Sequence, residues 1–344
     1  MRPYRIALVL LCWTGCLGMA TARAAAEDKP PADGHVSASV LKSEVKRLYV
    51  NTTYLAKAYK ASAAGQRFIM QGEGELVMEL YKVQFHLDLQ FSSNRADPEI
   101  SVAPGDQNDF LVEQAYVDAP LMRNLSLTGG LLHNPLGYEG EDAPDRDQVS
   151  HGQIWNLING QTLLPGNSVQ GVALNARFGR TGIFAGFLND LGEVRNRHSV
   201  EVLMTSRPLE GLSLEGGFLT QSTLQSNPSS AETLFDLNGA WEGRHVAAAV
   251  EYFAGDKLIN SAWGGYGHFR WGHFLLAARG DWVRYLIPNI QDTTSLTLTG
   301  AYLLNDKFKL AVEYRLNSNT NTLPVVLSLP DNGSSVRLQA LVVI

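Results

Sequence analysis

The chain has 344 residues, a formal net charge of −6, 18% charged residues and 32 glycines. That length holds one large domain or two, and so mild an acidity gives no reason to expect nucleic acid or an anionic membrane surface as a partner. After residue 24 no stretch approaches 18 consecutive apolar residues, so a membrane-spanning helix is excluded.

In chain order, Arg2 and Arg5 precede an apolar run from Ile6 to Leu17, and Ala22-Arg23-Ala24 follows. These are the charged, apolar and small-residue zones of a secretory signal peptide over 1–24. Lipid attachment at Cys16 is the alternative, weakened by Trp13 where a Leu is expected. Cys12 and Cys16 are the only cysteines, so the exported chain would fold without disulfides. Cleavage after Ala24 removes three arginines and leaves 25 basic against 34 acidic residues, a net −9. Residues 25–45, with Pro30-Pro31, read as a periplasmic leader with a helical turn through Ser39 to Lys46.

From there on, apolar residues recur with the period of two that marks a strand. Val83-Gln84-Phe85-His86-Leu87-Asp88-Leu89 shows it most plainly, and Val336, Leu338, Ala340, Val342 and Ile344 repeat it at the end, with Arg337 and Gln339 opposite. The predicted strands are 47–60, 66–80, 83–92, 109–118, 123–133, 168–178, 181–189, 196–206, 211–222, 232–242, 245–255, 260–270, 273–286, 291–304, 307–317 and 334–344. A soluble β-sandwich alternates too, but here connection length follows parity. Segments 178–180, 242–244 and 304–306 are short, whereas 93–108, 133–167, 221–231 and 318–333 are long. Sorted loops and strands of 9–11 residues are the signature of an outer-membrane barrel, with short periplasmic turns and long outer loops.

The expected fold is therefore all-β: a transmembrane antiparallel up-and-down β-barrel over 46–344, of about 16 strands, with 14 or 18 left open by the weak turn at Tyr81-Lys82. At that width the lumen should hold water. The side chains placed inward are Gln84, His86, Asp88, Asn175, Arg177, Glu201, Asp236, Glu251, His268, Arg270, Arg279, Asp281, Lys309, Glu313, Arg315, Arg337 and Gln339, too polar for a dry core. On the apolar parity, Trp241, Tyr252, Trp263, Phe269, Trp271, Phe274, Trp282, Tyr302, Phe308 and Tyr314 gather near strand ends, where a headgroup girdle would sit.

Glu113-Gln114-Ala115-Tyr116-Val117, the strand Leu125 to His133, the Asn134-Pro135-Leu136-Gly137-Tyr138-Glu139 loop entry and the return strand from Leu164 to Val172 resemble the β-barrel porin-2 family of bacterial outer membranes. The likeness covers about 110–205 and is thinner elsewhere. It implies a passive diffusion channel for ions and small hydrophilic solutes in a diderm bacterium, with no cofactor. Its other partners would be outer-membrane lipid and the barrel assembly machinery, with a homo-oligomer left open. The end on Ile344 departs from the terminal Phe usual in such barrels.

Within loop 133–167, Glu139, Glu141, Asp142, Asp145 and Asp147 place five carboxylates in nine residues, with Arg146 among them. Folded into the lumen they would narrow it and favour cations. As a solvated outer loop they would do neither. Asp142, Asp145 and Asp147 are a weak Ca²⁺ candidate, because the D-x-D-x-D-G spacing is missing. No metal-binding histidine spacing and no G-x-S-x-G elbow occur, and Arg279-Gly280-Asp281 falls inside a strand. Two alternatives of other classes remain: a closed barrel serving as an adhesin or structural anchor, and a membrane-embedded hydrolase.

Overall fold

The computed structural model describes residues 42–59, 65–92, 109–138, 147–159, 168–191, 197–221, 233–256, 259–286, 290–305, 307–318 and 333–343. The expected signal peptide, Glu139 to Arg146 and Ile344 lie outside them. Sixteen antiparallel strands form one closed barrel in which every strand pairs with its chain neighbours and β1 pairs with β16. The strands are β1 (Lys42–Tyr59), β2 (Gly65–Leu80), β3 (Val83–Ser92), β4 (Asp109–Met122), β5 (Leu125–His133), β6 (Ser168–Phe178), β7 (Thr181–Asn189), β8 (His198–Leu209), β9 (Leu212–Gln221), β10 (Thr233–Glu242), β11 (Val246–Gly255), β12 (Ile259–Trp271), β13 (Phe274–Tyr285), β14 (Thr293–Asn305), β15 (Phe308–Ser318) and β16 (Gly333–Val343). Among the described residues one short helix, α1 (Gln153–Asn159), lies between β5 and β6.

The expected strands begin and end within three residues of where the alternation places them, except at β1 and β4. The first strand begins at Lys42, five residues before the expected 47, because Lys42 to Val45 pair with Leu76 to Glu79 of β2. Residues 42–46 are therefore strand and not the expected leader end and helical turn. β4 continues through Ala119 and Pro120 to Met122. The turn at Tyr81-Lys82 is real: both residues have positive φ, 52° and 69°, which matches the twist of a two-residue hairpin. Neither is Gly or Asn, which is why the alternation runs through it unmarked. Closure sets Tyr49 opposite Val343 and Tyr59 opposite Gly333, so β1 starts and β16 finishes at the short-turn end. An even strand number requires this.

Side-chain parity divides the wall into two surfaces. Outward residues are large, apolar and solvent-facing, such as Val250 at 64% and Leu276 at 62% exposure. Such a continuous apolar face would be a liability in water but suits hydrocarbon. Trp241, Phe269, Trp271, Phe274 and Tyr302 ring the short-turn end, all exposed. Tyr252 and Trp263, with ring centroids 4.6 Å apart, stand nearer the other.

The inward surface is not uniformly wet. Leu203, Leu219, Leu234, Phe253, Ala262 and Val283 point inward and are buried with Leu136, Ile154 and Leu157 of the β5–β6 connection. The expectation of a lumen too polar for any dry core fails over this sector. These apolar residues sit at inward positions on β8–β13, a register in which the charged neighbours dominate the sequence pattern.

Candidate functional site

The chain enters the barrel directly after β5. The Asn134 side chain accepts the Leu136 N–H at 3.1 Å, a local turn of the kind Asn favours, and sends the strand's continuation across the lumen. Leu136 then seats over Gly217 of β9, where an added Cβ would lie 2.3 Å from its Cδ2. The glycine is the slot that receives the loop.

A loop inside a barrel brings backbone N–H groups that must find acceptors. The wall carboxylates supply them. Asp236 accepts from Gly137 at 3.3 Å and Glu251 from Tyr138 at 2.9 Å. Glu313 accepts from Val149 and Ser150 at 2.7 and 3.1 Å, and Asp281 from Gln153 at 3.2 Å. Loop carbonyls are met by cations: Arg279 donates to Ser150 O at 2.8 Å and His151 O at 2.6 Å, and Arg315 to His151 O at 2.9 Å. Asp147 of the loop pairs with His268 of β12.

These charges also compensate one another, as buried charges must. Arg337 lies 3.0 Å from Glu313, and Arg279 3.4 Å from Asp281. Thr299 and Ser295 donate further hydrogen bonds to Glu313 and Asp281. Beyond the charged belt, α1 buries Ile154 and Leu157 against Phe253, Ala262 and Val283. Each such side chain contributes about 1.5–3 kcal/mol by leaving water. His151 stacks on Trp155 with centroids 3.5 Å apart and closes the helix entry. Polar anchoring at mid-wall and apolar packing above it therefore hold the connection along β9–β15.

A different charge pattern lines the arc β2–β4. Glu73, Asp88 and Glu113 are buried and bring carboxylate oxygens within 4.8 Å of one another. Tyr49 donates to Glu73 at 3.0 Å and Gln90 to Glu113 at 3.2 Å. The bulge between β3 and β4 at Asp88/Leu89 leaves Glu113 as the extra residue. An oxygen-only set of this type suits a hard cation such as Ca²⁺. Below it, His86 stacks on Tyr116 at 4.4 Å. Toward the short-turn end the lumen opens into a cavity of about 1480 Å³ along β4–β12.

The residues expected inward divide accordingly. Asp236, Glu251, Asp281, Glu313, Arg279 and Arg315 point inward but are covered by the loop, each 4% exposed or less. Glu201, expected in the wet lining, has no exposed surface, and its carboxylate has no hydrogen-bond partner among the described residues. Asp88, Lys309, Arg337 and Gln339 are also buried. Gln84 and His86 are partly exposed, Asn175 donates to Thr128 at 2.8 Å, and Arg177 and His268 line the cavity. Arg270 is exposed near the short-turn end. Of the acidic loop run only Asp147 is described; Glu139, Glu141, Asp142, Asp145 and Arg146 fall outside, and with them the Ca²⁺ candidate. Sequence reasoning missed Glu73, Glu113, Ser150, His151 and Gln153. Glu113 sits in the quoted Glu-Gln-Ala-Tyr-Val run, but only the bulge puts it in the lumen.

No family model and no curated protein matches the chain. Solved structures do. A porin of Rhodopseudomonas blastica, as a double mutant, superposes with a TM-score of 0.57 at 9% identity, covering 89% of this chain and 100% of that one. A loop L8 deletion mutant of OmpT, described as an outer membrane protein of Vibrio cholerae, gives 0.60 at 12% identity, covering 88% and 99%. At these identities the likeness is one of fold: a 16-strand barrel of the outer-membrane type.

Proposed function

We propose that the protein is an outer-membrane porin, a passive channel for ions and small hydrophilic solutes whose bore is narrowed by the β5–β6 connection. The observation that carries this reading is the pinning of that connection inside the barrel by Asp236, Glu251, Asp281 and Glu313. A loop so fastened would set the width of the passage between itself and the opposite arc. Short turns would face the periplasm and long loops the exterior. Solute choice then rests on charge along the passage, with Glu73, Asp88 and Glu113 on one arc and the loop run Glu139, Glu141, Asp142, Asp145 and Asp147 on the connection. The fold likeness to a porin supports the same class.

The apolar packing of α1 favours a second reading: a closed barrel whose outer loops bind a partner as adhesin or anchor. Neutralising Glu139, Glu141, Asp142, Asp145 and Asp147 separates the two. A channel shifts its reversal potential in a salt gradient. An unchanged reversal potential removes the loop from the ion path, and absence of any current favours the closed barrel.

A further inference from the structure

The cavity at the short-turn end carries a feature that the loop anchoring does not use. Arg123 stands in the β4–β5 turn, Arg177 near the end of β6, Arg180 in the β6–β7 turn and Arg207 near the end of β8, and all four line the cavity. Backbone bonds hold these consecutive hairpins together: Arg177 N–H donates to Asn124 O at 2.9 Å and Arg207 N–H to Arg180 O at 3.0 Å. Of the four guanidinium groups only that of Arg180 has a hydrogen bond, donated to Pro208 O at 3.0 Å, and none forms an ion pair with a described carboxylate.

Three arginines deeper in the lumen behave differently. Arg279, Arg315 and Arg337 are all but buried and committed to loop carbonyls or to Glu313. The mouth cluster is solvent-facing and free of ion pairs with described carboxylates, and it lines a space large enough for a hydrated solute. Planar guanidinium groups with free N–H forks match the geometry of phosphate and carboxylate oxygens. Glu210, Glu215 and Glu242 line the same cavity on the β8–β10 side. They would repel an extended polyanion, so a small oxyanion at the arginine side fits better.

We infer that Arg123, Arg177, Arg180 and Arg207 form a binding site for small oxyanionic solutes, carrying phosphate or carboxylate, at the short-turn mouth of the barrel. The site rests on the channel reading for its role, that of holding an anion as it passes. Its existence as a binding site does not depend on conduction.

The test uses the refolded full barrel and inorganic phosphate as probe. With chloride as charge carrier, phosphate added at the short-turn side should reduce the current saturably, at lower concentration than from the long-loop side. Arg177→Gln with Arg207→Gln should raise the half-blocking concentration at least tenfold, while the heat-modifiable gel shift reports an intact barrel. Succinate in place of phosphate distinguishes carboxylate from phosphate recognition, and block by either agrees with the inference. Absence of saturable block by both anions, or block that survives the double substitution, overturns it. The pair Arg177→Lys and Arg207→Lys keeps the charge, so block of native strength in that variant would overturn guanidinium recognition. If the barrel does not conduct, the channel reading falls. Broadening of the phosphate ³¹P resonance by the detergent-solubilised barrel then decides: native broadening that is lost in the glutamine variant upholds the site, and no broadening overturns it.

Discussion

Replacing Glu313 with Gln should release the inserted connection without opening the barrel. The carboxylate accepts from Val149 N, Ser150 N and Thr299 Oγ1 through one oxygen and from Arg337 through the other, and it has no exposed surface. Hydrogen bonds to a charged acceptor contribute about 1.5–3 kcal/mol each, and removing one partner of a buried ion pair costs about 3–5 kcal/mol. Gln keeps the shape and one acceptor oxygen, so a net loss of about 3 kcal/mol is expected at the anchor, a factor of about 100 in local opening. Hydrogen exchange in detergent reads this directly. The Val149 and Ser150 amides should exchange about 100-fold faster in the variant, with strand amides and the heat-modifiable gel shift unchanged. Native protection of both amides in an otherwise intact E313Q barrel would refute the anchoring account.

Two further substitutions test the surfaces of the wall. Val250 lies midway along β11 on the outward face at 64% exposure, so Val250→Arg should cost about 2–4 kcal/mol in urea unfolding from lipid vesicles; a change below about 0.5 kcal/mol would show that this face does not meet hydrocarbon. Gly130 has φ of 137°, and a Cβ there would lie 2.3 Å from Ala115 O. Gly130→Ala should therefore lower the yield of heat-modifiable barrel in refolding, and a native yield would show that β4 and β5 can separate at that point.

Much of the barrel is legible because a strand that is wetted on one side and oiled on the other writes its parity into the sequence. Gln84, His86 and Asp88 alternate with Phe85, Leu87 and Leu89 however the rest of the chain packs. Loop length adds the closure, since turns sorted by side are the pattern of an outer-membrane barrel and a sandwich has no reason to show it. Strand positions at β1 and β4 are less legible: β4 runs on through Pro120, a residue that argues against a strand.

The lumen is the harder part. Parity says that Glu313 and Arg279 point inward, but not whether water or protein meets them there, because a carboxylate capping N–H groups of a distant loop looks identical in sequence to one lining a pore. Val149, Ser150 and Gln153 reach their acceptors across 128 to 164 residues of chain. Leu203, Leu219, Leu234 and Phe253 carry a signal of the dry sector, since each stands on the inward parity. The charges beside them outweigh it. Arg123, Arg180 and Arg207 give no sign of a mouth cluster because they sit in turns or near strand ends, where a basic residue ordinarily means solvent.

Single-channel conductance of the refolded chain in a planar bilayer, beside its gel mobility with and without boiling, tests the channel claim most directly. The account predicts stepwise conductance from heat-modifiable protein, rising in E313Q as the connection loosens. A heat-modifiable barrel that never conducts would contradict it, leaving a closed barrel whose inserted loop is a plug.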